Sequence, residues 1–142
     1  MNDIARTLVL NHEGYKNELY KDTEGKWTIG VGYNIEEYGL PDWVIFQLFE
    51  SHLLGAELEC TRMFPSFHMH NKARQAVLID MMYNLGYTRL GTFKRFRMAM
   101  MIAHVDDSKY QDAADEMLDS RWARQVGNRA KKLAKIMREG KL

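Results

Sequence analysis

Apolar residues recur at three- and four-residue steps along most of the chain and change to a strand-like pattern in one stretch near the N-terminus. Ile4, Leu8 and Val9 follow Asp3 at helical spacing, so a first helix is expected, capped by Asp3 and ending near His12 or Glu13 before Gly14. From Leu19 to Tyr33 the character differs. Asp22-Thr23-Glu24-Gly25 is turn chemistry, and Trp27-Thr28-Ile29-Gly30-Val31-Gly32-Tyr33 combines β-branched and aromatic residues with glycines that weaken a helix. A small hairpin or meander is expected there. Between Pro41 and Pro65 the positions Val44, Ile45, Leu48, Phe49, His52 and Leu53 keep helical spacing without a break, which predicts one long helix. Further helices are expected over residues 71–84, 92–103, 108–118 and 128–138, separated by Gly86, Gly91, Asp106-Asp107 and Gly127. Helices outnumber strands, so the pattern defines an α+β chain with a small N-terminal sheet.

At 142 residues, 46% hydrophobic and 27% charged, the composition is that of an ordinary folded domain with a buried core. The longest apolar run, Met98 to Ala103, falls far short of the roughly 20 residues of a membrane-spanning helix. Leu8-Val9-Leu10 is too short for the apolar segment of a secretory leader, so neither a membrane anchor nor export by that route is expected. Cys60 is the single cysteine, which excludes an intrachain disulfide and a Cys-rich zinc site and fits synthesis in a reducing cytoplasm. The ten methionines, including the cluster Met98, Met100 and Met101, read as core packing, and Cys60 as a small buried hydrophobe. His68 and His70 lack a third ligand nearby, so no metal is expected.

The formal charge of +1 conceals an asymmetry: residues 120–142 carry eight basic and one acidic side chain, the remainder twelve and eighteen. Such an end suits nucleic acid, an anionic polymer or a solvated helix face. No interleaved aromatics, helix-turn-helix turn or Gly-rich phosphate loop accompanies it, so nucleic acid is not the expected partner and attraction to an anionic wall accounts for it better.

Two carboxylates frame the junction of the first helix and the hairpin, Glu13 and Asp22, with eight residues between them. Glycoside hydrolysis needs such a pair: one acid protonates the leaving oxygen while an ionised partner activates water or stabilises the cationic sugar. A carboxylate in a last helical turn faces the negative end of the helix dipole, which makes Glu13 the better candidate for the protonated member. Thr28 follows Asp22 after five further residues, on the returning strand, where its hydroxyl can hold a water.

The order Glu13, Asp22, Thr28, embedded in Asn-His-Glu-Gly and Leu-Tyr-Lys-Asp-Thr-Glu-Gly-Lys-Trp-Thr-Ile-Gly-Val-Gly-Tyr-Asn, resembles the T-even type of bacteriophage lysozyme, the endolysins of glycoside hydrolase family 24. Residues 76–86 and 119–132 resemble the C-terminal lobe of that family, so the likeness covers most of the chain. It implies a lysozyme-like fold: a small lobe over about residues 13–40, a linking helix over about 41–64, and a helical lobe over about 65–142 on which the first helix packs, with substrate in a cleft between lobes. It also implies a muramidase that cleaves the β-1,4 bond between N-acetylmuramic acid and N-acetylglucosamine in peptidoglycan, without metal or cofactor. Glu13 would be the general acid, Asp22 the second carboxylate and Thr28 the water-positioning hydroxyl, with inversion expected if the carboxyl groups stand roughly 6.5–9.5 Å apart.

The same likeness assigns substrate contacts to Gly32, Asn34, Tyr83, Asn84, Phe96, Glu116, Trp122 and Arg129, and brings Arg129 toward Glu13. Tyr33 and His52 stand where the family has a His–acid pair. As a monomer accumulating in the host cytoplasm, such an enzyme would depend on a holin to reach the wall. The competing reading is a non-catalytic lysozyme-like module that binds glycan or protein.

Overall fold

A computed structural model describes residues 1–142, and the chain divides into two compact units, Met1–Leu48 and Phe49–Leu142. In the first unit, helix α1 (Asp3–Glu13) starts at Asn2, whose Oδ1 accepts the Ala5 N–H at 3.0 Å. Asn2, not Asp3, is therefore the cap, because its extended backbone aims the side-chain oxygen back at the open first-turn amides. Asp3 sits one residue inside, where a negative charge suits the helix N-terminus. Gly14 ends α1 at φ 71°, and its N–H bonds to the Leu10 carbonyl at 3.0 Å.

Three antiparallel strands follow in the order β1 (Lys16–Lys21), β2 (Trp27–Gly30), β3 (Tyr33–Asn34). The central strand is paired on both edges, Thr28 lying opposite Tyr20 on one side and Asn34 on the other. The pairing between β1 and β2 is irregular between Lys16 and Tyr20. A one-turn helix α2 (Ile35–Tyr38), not evident in the periodicity, comes next and is capped by Asn34. The long helix α3 (Asp42–Met63) is bounded by the two prolines, as its pattern predicts. Its residues from Phe49 onward belong to the second unit.

Nearly all the burial lies in that second unit. Phe64, Phe67, Val77, Leu78, Met81, Met82, Leu90, Phe96, Met100, Met117 and Met137 are closed to solvent, with Cys60 among them. After a 3-10 turn at Phe67–Met69, α4 (Lys72–Gly91) runs past the expected end at Asn84 but breaks at Gly86, whose φ of 79° only glycine adopts readily. Helices α5 (Lys94–Ala103), α6 (Lys109–Leu118), α7 (Arg121–Val126) and α8 (Asn128–Glu139) follow. Helix α6 packs on both α5 and α8, and α8 also touches α4 and α7. The short α7 was not expected; Ser120 caps it by accepting the Ala123 N–H.

Four of the ten methionines, Met1, Met69, Met98 and Met101, depart from the packing expectation and are exposed. On α5 the inward face is Phe96, Ala99, Met100 and Ala103, so Met98 and Met101 fall on the opposite side and are exposed.

One polar chain runs through the helical core. His70 is 3% exposed. Ser66 Oγ donates to the Met100 carbonyl at 3.1 Å, which leaves His70 Nε2–H to donate to Ser66 Oγ at 3.0 Å and Nδ1 to accept from the Tyr110 hydroxyl at 2.6 Å. Burial, then the neighbouring His104 and Arg74, push the His70 pKa down from 6.5 to about 4, so the ring is held neutral.

Candidate active site

Of the three side chains expected to carry chemistry, Asp22 and Thr28 are held by a single small sheet and its turns, and Glu13 comes up to one of those turns from the end of a helix. Glu13 is the last residue of α1, and its carboxylate lies directly against Gly32 in the two-residue turn between β2 and β3. A Cβ built on Gly32 would stand 2.7 Å from the Glu13 carboxyl carbon and would overlap one of its oxygens. The φ of 63° at Gly32 favours glycine by itself, and a side chain there would also push the exposed Glu13 carboxylate aside. Gly32 thus acts by shaping the seat of Glu13.

Asp22 opens the turn from β1 to β2. Its Oδ1 accepts the N–H groups of Glu24 at 2.8 Å and Lys26 at 2.9 Å, an Asx-type turn that fixes this oxygen. The second oxygen, Oδ2, makes no hydrogen bond to the protein. Thr28, 2% exposed, is the only buried residue of the first unit, and its hydroxyl donates to the Lys26 carbonyl at 2.9 Å. Both side chains therefore grip the same residue, Asp22 through the Lys26 N–H and Thr28 through the Lys26 C=O. The Thr28 proton is committed to that carbonyl. Asn34 is engaged structurally: its Oδ1 accepts the Glu37 N–H at 3.0 Å.

The remaining expected site residues belong to the second unit. Asp80, Tyr83 and Asn84 share a face of α4 at positions i, i+3 and i+4. The half-buried Tyr83 ring packs edge-on to His52 at 4.4 Å and lies 6.0 Å from Phe49. Tyr33, the counterpart expected for His52, donates to the Gly39 carbonyl at 2.6 Å and stands 6.1 Å from Tyr38, so each of these two rings has partners inside its own unit. Asn84 Oδ1 accepts the indole N–H of Trp122 at 2.7 Å, which locks α4 to α7.

Trp122 and Glu116 border an open groove of about 600 Å³ together with Phe93, Arg89, Arg95 and Arg121. Phe96 and Trp122 adjoin this groove but are 1% and 2% exposed, Phe96 edge-on to Phe64 and Trp122 bonded to Asn84, so both rings serve the core and have almost no surface to offer a sugar, against the expectation of substrate contacts. Arg129 directs Nε and Nη2 to Asp80 Oδ1 at 2.9 and 2.8 Å. This carboxylate was not singled out in the sequence, although its place three residues before Tyr83 on one helix face was a usable signal. Lys26 was also missed, because its part is played by the backbone and its side-chain identity carries no trace of it.

A helix-terminal glutamate seated on a glycine turn, beside a three-stranded sheet that fixes Asp22 and Thr28, is joined in one chain to a helical unit with a Trp–Asn lock. The family model for phage lysozyme matches residues 10–139, and the chain belongs to that family. Among curated relatives, the probable T4-type lysozyme 1 of Dictyostelium discoideum is 26% identical, with 92% of this chain and 91% of that protein covered. The probable T4-type lysozyme 2 of the same organism is 21% identical over the same shares. The pre-baseplate central spike protein Gp5 of Enterobacteria phage T4 is 25% identical over 95% of this chain and 28% of its own length.

Proposed function

We propose that this member of the phage lysozyme family is an endolysin that hydrolyses the β-1,4 bond between N-acetylmuramic acid and N-acetylglucosamine in bacterial peptidoglycan and so lyses the host cell. The observation that carries the reading is that Asp22 and Thr28 are held by one small sheet and its first turn while the Glu13 carboxylate at the end of α1 rests against Gly32 in the next turn of that sheet. In the proposed reaction Glu13 gives its proton to the glycosidic oxygen as that bond breaks. Asp22 uses its uncommitted Oδ2 to take a proton from the attacking water, while a Thr28 lone pair accepts a hydrogen bond from the same water. The new C1–O bond then forms on the face opposite the leaving group, with inversion. Gly32 keeps the acid in place, and Asn34 holds the strand end from which the site is built. In the helical unit, Tyr83, Asn84 and Glu116 contribute glycan contacts, an apolar ring face and polar edges being suited to sugars, while the buried Trp122 holds Asn84 in place. Arg129 orients that region through Asp80.

No helix is long and apolar enough to cross a membrane. Under the proposal the enzyme acts as a monomer, accumulates in the host cytoplasm and reaches the wall once a holin has permeabilised the membrane. The test is clearing of chloroform-treated Gram-negative cells by the purified protein. Rapid clearing that Glu13→Gln abolishes, with its melting temperature unchanged, is the expected result. Wall binding by the unmodified protein without any clearing would favour a glycan-binding module instead.

A further inference from the structure

Helix α5 is apolar on both of its sides, and only one of them is buried. Phe96, Ala99, Met100 and Ala103 point into the core, while Met98, Met101 and Ile102 are exposed, and Val105 in the turn beyond the helix continues their spacing. The charged residues Lys94, Arg95 and Arg97 are confined to the first turn. A helix that is apolar all round normally lies inside a protein, so the exposed side calls for a cover. An open groove of about 360 Å³ separates this side of α5 from α6, with Met98 and Ile102 along one wall and Lys109, Asp112, Asp115 and Glu116 along the other. Arg95 stands at the end where α5 begins. Lys109 is paired with Asp112 at 3.2 Å and Gln111 donates to Asp115 Oδ1 at 2.8 Å, which leaves Asp115 Oδ2 and the Glu116 carboxylate without a protein partner. Residues 106–119 hold six acidic side chains and one basic, so the field over the α6 wall is negative.

From this arrangement we infer that the groove between α5 and α6 is a docking site for a basic amphipathic helix of a partner protein. Its apolar side chains lie against Met98, Met101 and Ile102, and its lysines or arginines run along Asp112 and Asp115. Two packed helices with one apolar and one charged wall make a surface suited to a helix with apolar anchors at i, i+3, i+4 and i+7. Methionine fits this use because its unbranched, polarizable chain repacks around different shapes. The volume of about 360 Å³ lies at the low end of the roughly 300–1,000 Å³ of small-molecule pockets, and it suits a few anchoring side chains better. A bilayer of anionic lipid is repelled by the acidic wall, and a neutral apolar segment leaves its carboxylates unmatched. The site stands whether or not the protein cleaves glycan.

The test is fluorescence anisotropy of a labelled model helix built of leucine and lysine, with leucine at i, i+3, i+4 and i+7, titrated with the whole chain at about 0.15 M salt. The same helix with glutamate in place of every lysine, and phosphatidylglycerol vesicles, serve as comparisons. Micromolar binding of the lysine helix is expected, with neither comparison held. M98S/I102S should weaken that binding at least about tenfold through lost apolar contact, whereas L54S/L58S, which removes similar surface from exposed positions on α3, should leave it unchanged. The charge reversal D112K/D115K, at exposed positions, should turn the preference over, so that the glutamate helix is held and the lysine helix is not. This second variant decides the matter if M98S/I102S misfolds by circular dichroism. The proposal is overturned if the lysine helix does not bind, if M98S/I102S and L54S/L58S lose affinity equally, or if D112K/D115K still prefers lysine. It is also overturned if the vesicles are held more tightly than the lysine helix, or if sedimentation shows a dimer of the chain that M98S/I102S dissolves.

Discussion

The two units hold themselves together by different means. The helical unit, from Phe49 onward, contains every apolar residue of the buried core and one buried polar chain, Ser66–His70–Tyr110. The first unit buries one residue, Thr28; of the side chains proposed for catalysis, Asp22 and Thr28 are fixed by hydrogen bonds to turn backbone, and Glu13 rests against a glycine. Apolar burial is strong and non-directional, whereas each intramolecular hydrogen bond adds only about 0.5–1.5 kcal/mol but fixes direction. Global stability therefore belongs to the helical unit, and the geometry of the proposed site to the sheet and its turns. Mutations should separate the two properties.

The largest effect is expected where the core is densest. Phe96→Ala removes a ring that is 1% exposed and should cost about 3–5 kcal/mol in chemical denaturation, with activity per folded molecule kept under mild conditions. A loss of activity at full folding would show that the groove depends on this ring directly.

Acid should act on the same unit. The His70 pKa is about 4 in the folded chain against an ordinary 6.5, so the neutral ring contributes stability that is complete above pH 6.5 and disappears as the pH falls through about 4. The full contribution is on the order of 3 kcal/mol. Urea unfolding between pH 7 and 4 should show this decline, and His70→Gln should flatten it; an equal slope in the variant would assign the decline to other groups.

Gly32→Ala sharpens the comparison from the other side. The new methyl would collide with the Glu13 carboxylate at a backbone φ of 63°, so activity should fall on the order of 100-fold, about 2.7 kcal/mol in barrier. Because this turn lies outside the core, the melting temperature should move by only a few degrees. The smallest stability effect is expected for Asp22→Ala, which frees two turn amides that water can rebind, at about 1 kcal/mol or less. Its activity should nonetheless collapse. If Asp22→Asn, which keeps an acceptor oxygen for the turn, restored activity, the carboxylate would have no chemical part.

Elements with strong periodicity were the legible ones. Helix α3 lies between its prolines because proline cannot continue a helix, and α8 declares itself by a sharp division between apolar and basic faces. The helices α2 and α7 are too short for a period to show, and only their caps, Asn34 and Ser120, mark them. Residues 98 and 101 looked like core because methionine is apolar; the face chosen by Phe96 and Met100 decided otherwise. At the site, the order Glu13, Asp22, Thr28 could be read directly. The grip on Lys26 and the seat on Gly32 could not, since both are made by backbone atoms whose positions follow from the turns.

Digestion of purified peptidoglycan, with identification of the new reducing ends, tests the central claim most directly. The account predicts reducing N-acetylmuramic acid released by the unmodified protein and none by a folded Glu13→Gln variant. Reducing N-acetylglucosamine, cleavage within the stem peptide, or undiminished release by Glu13→Gln would contradict it.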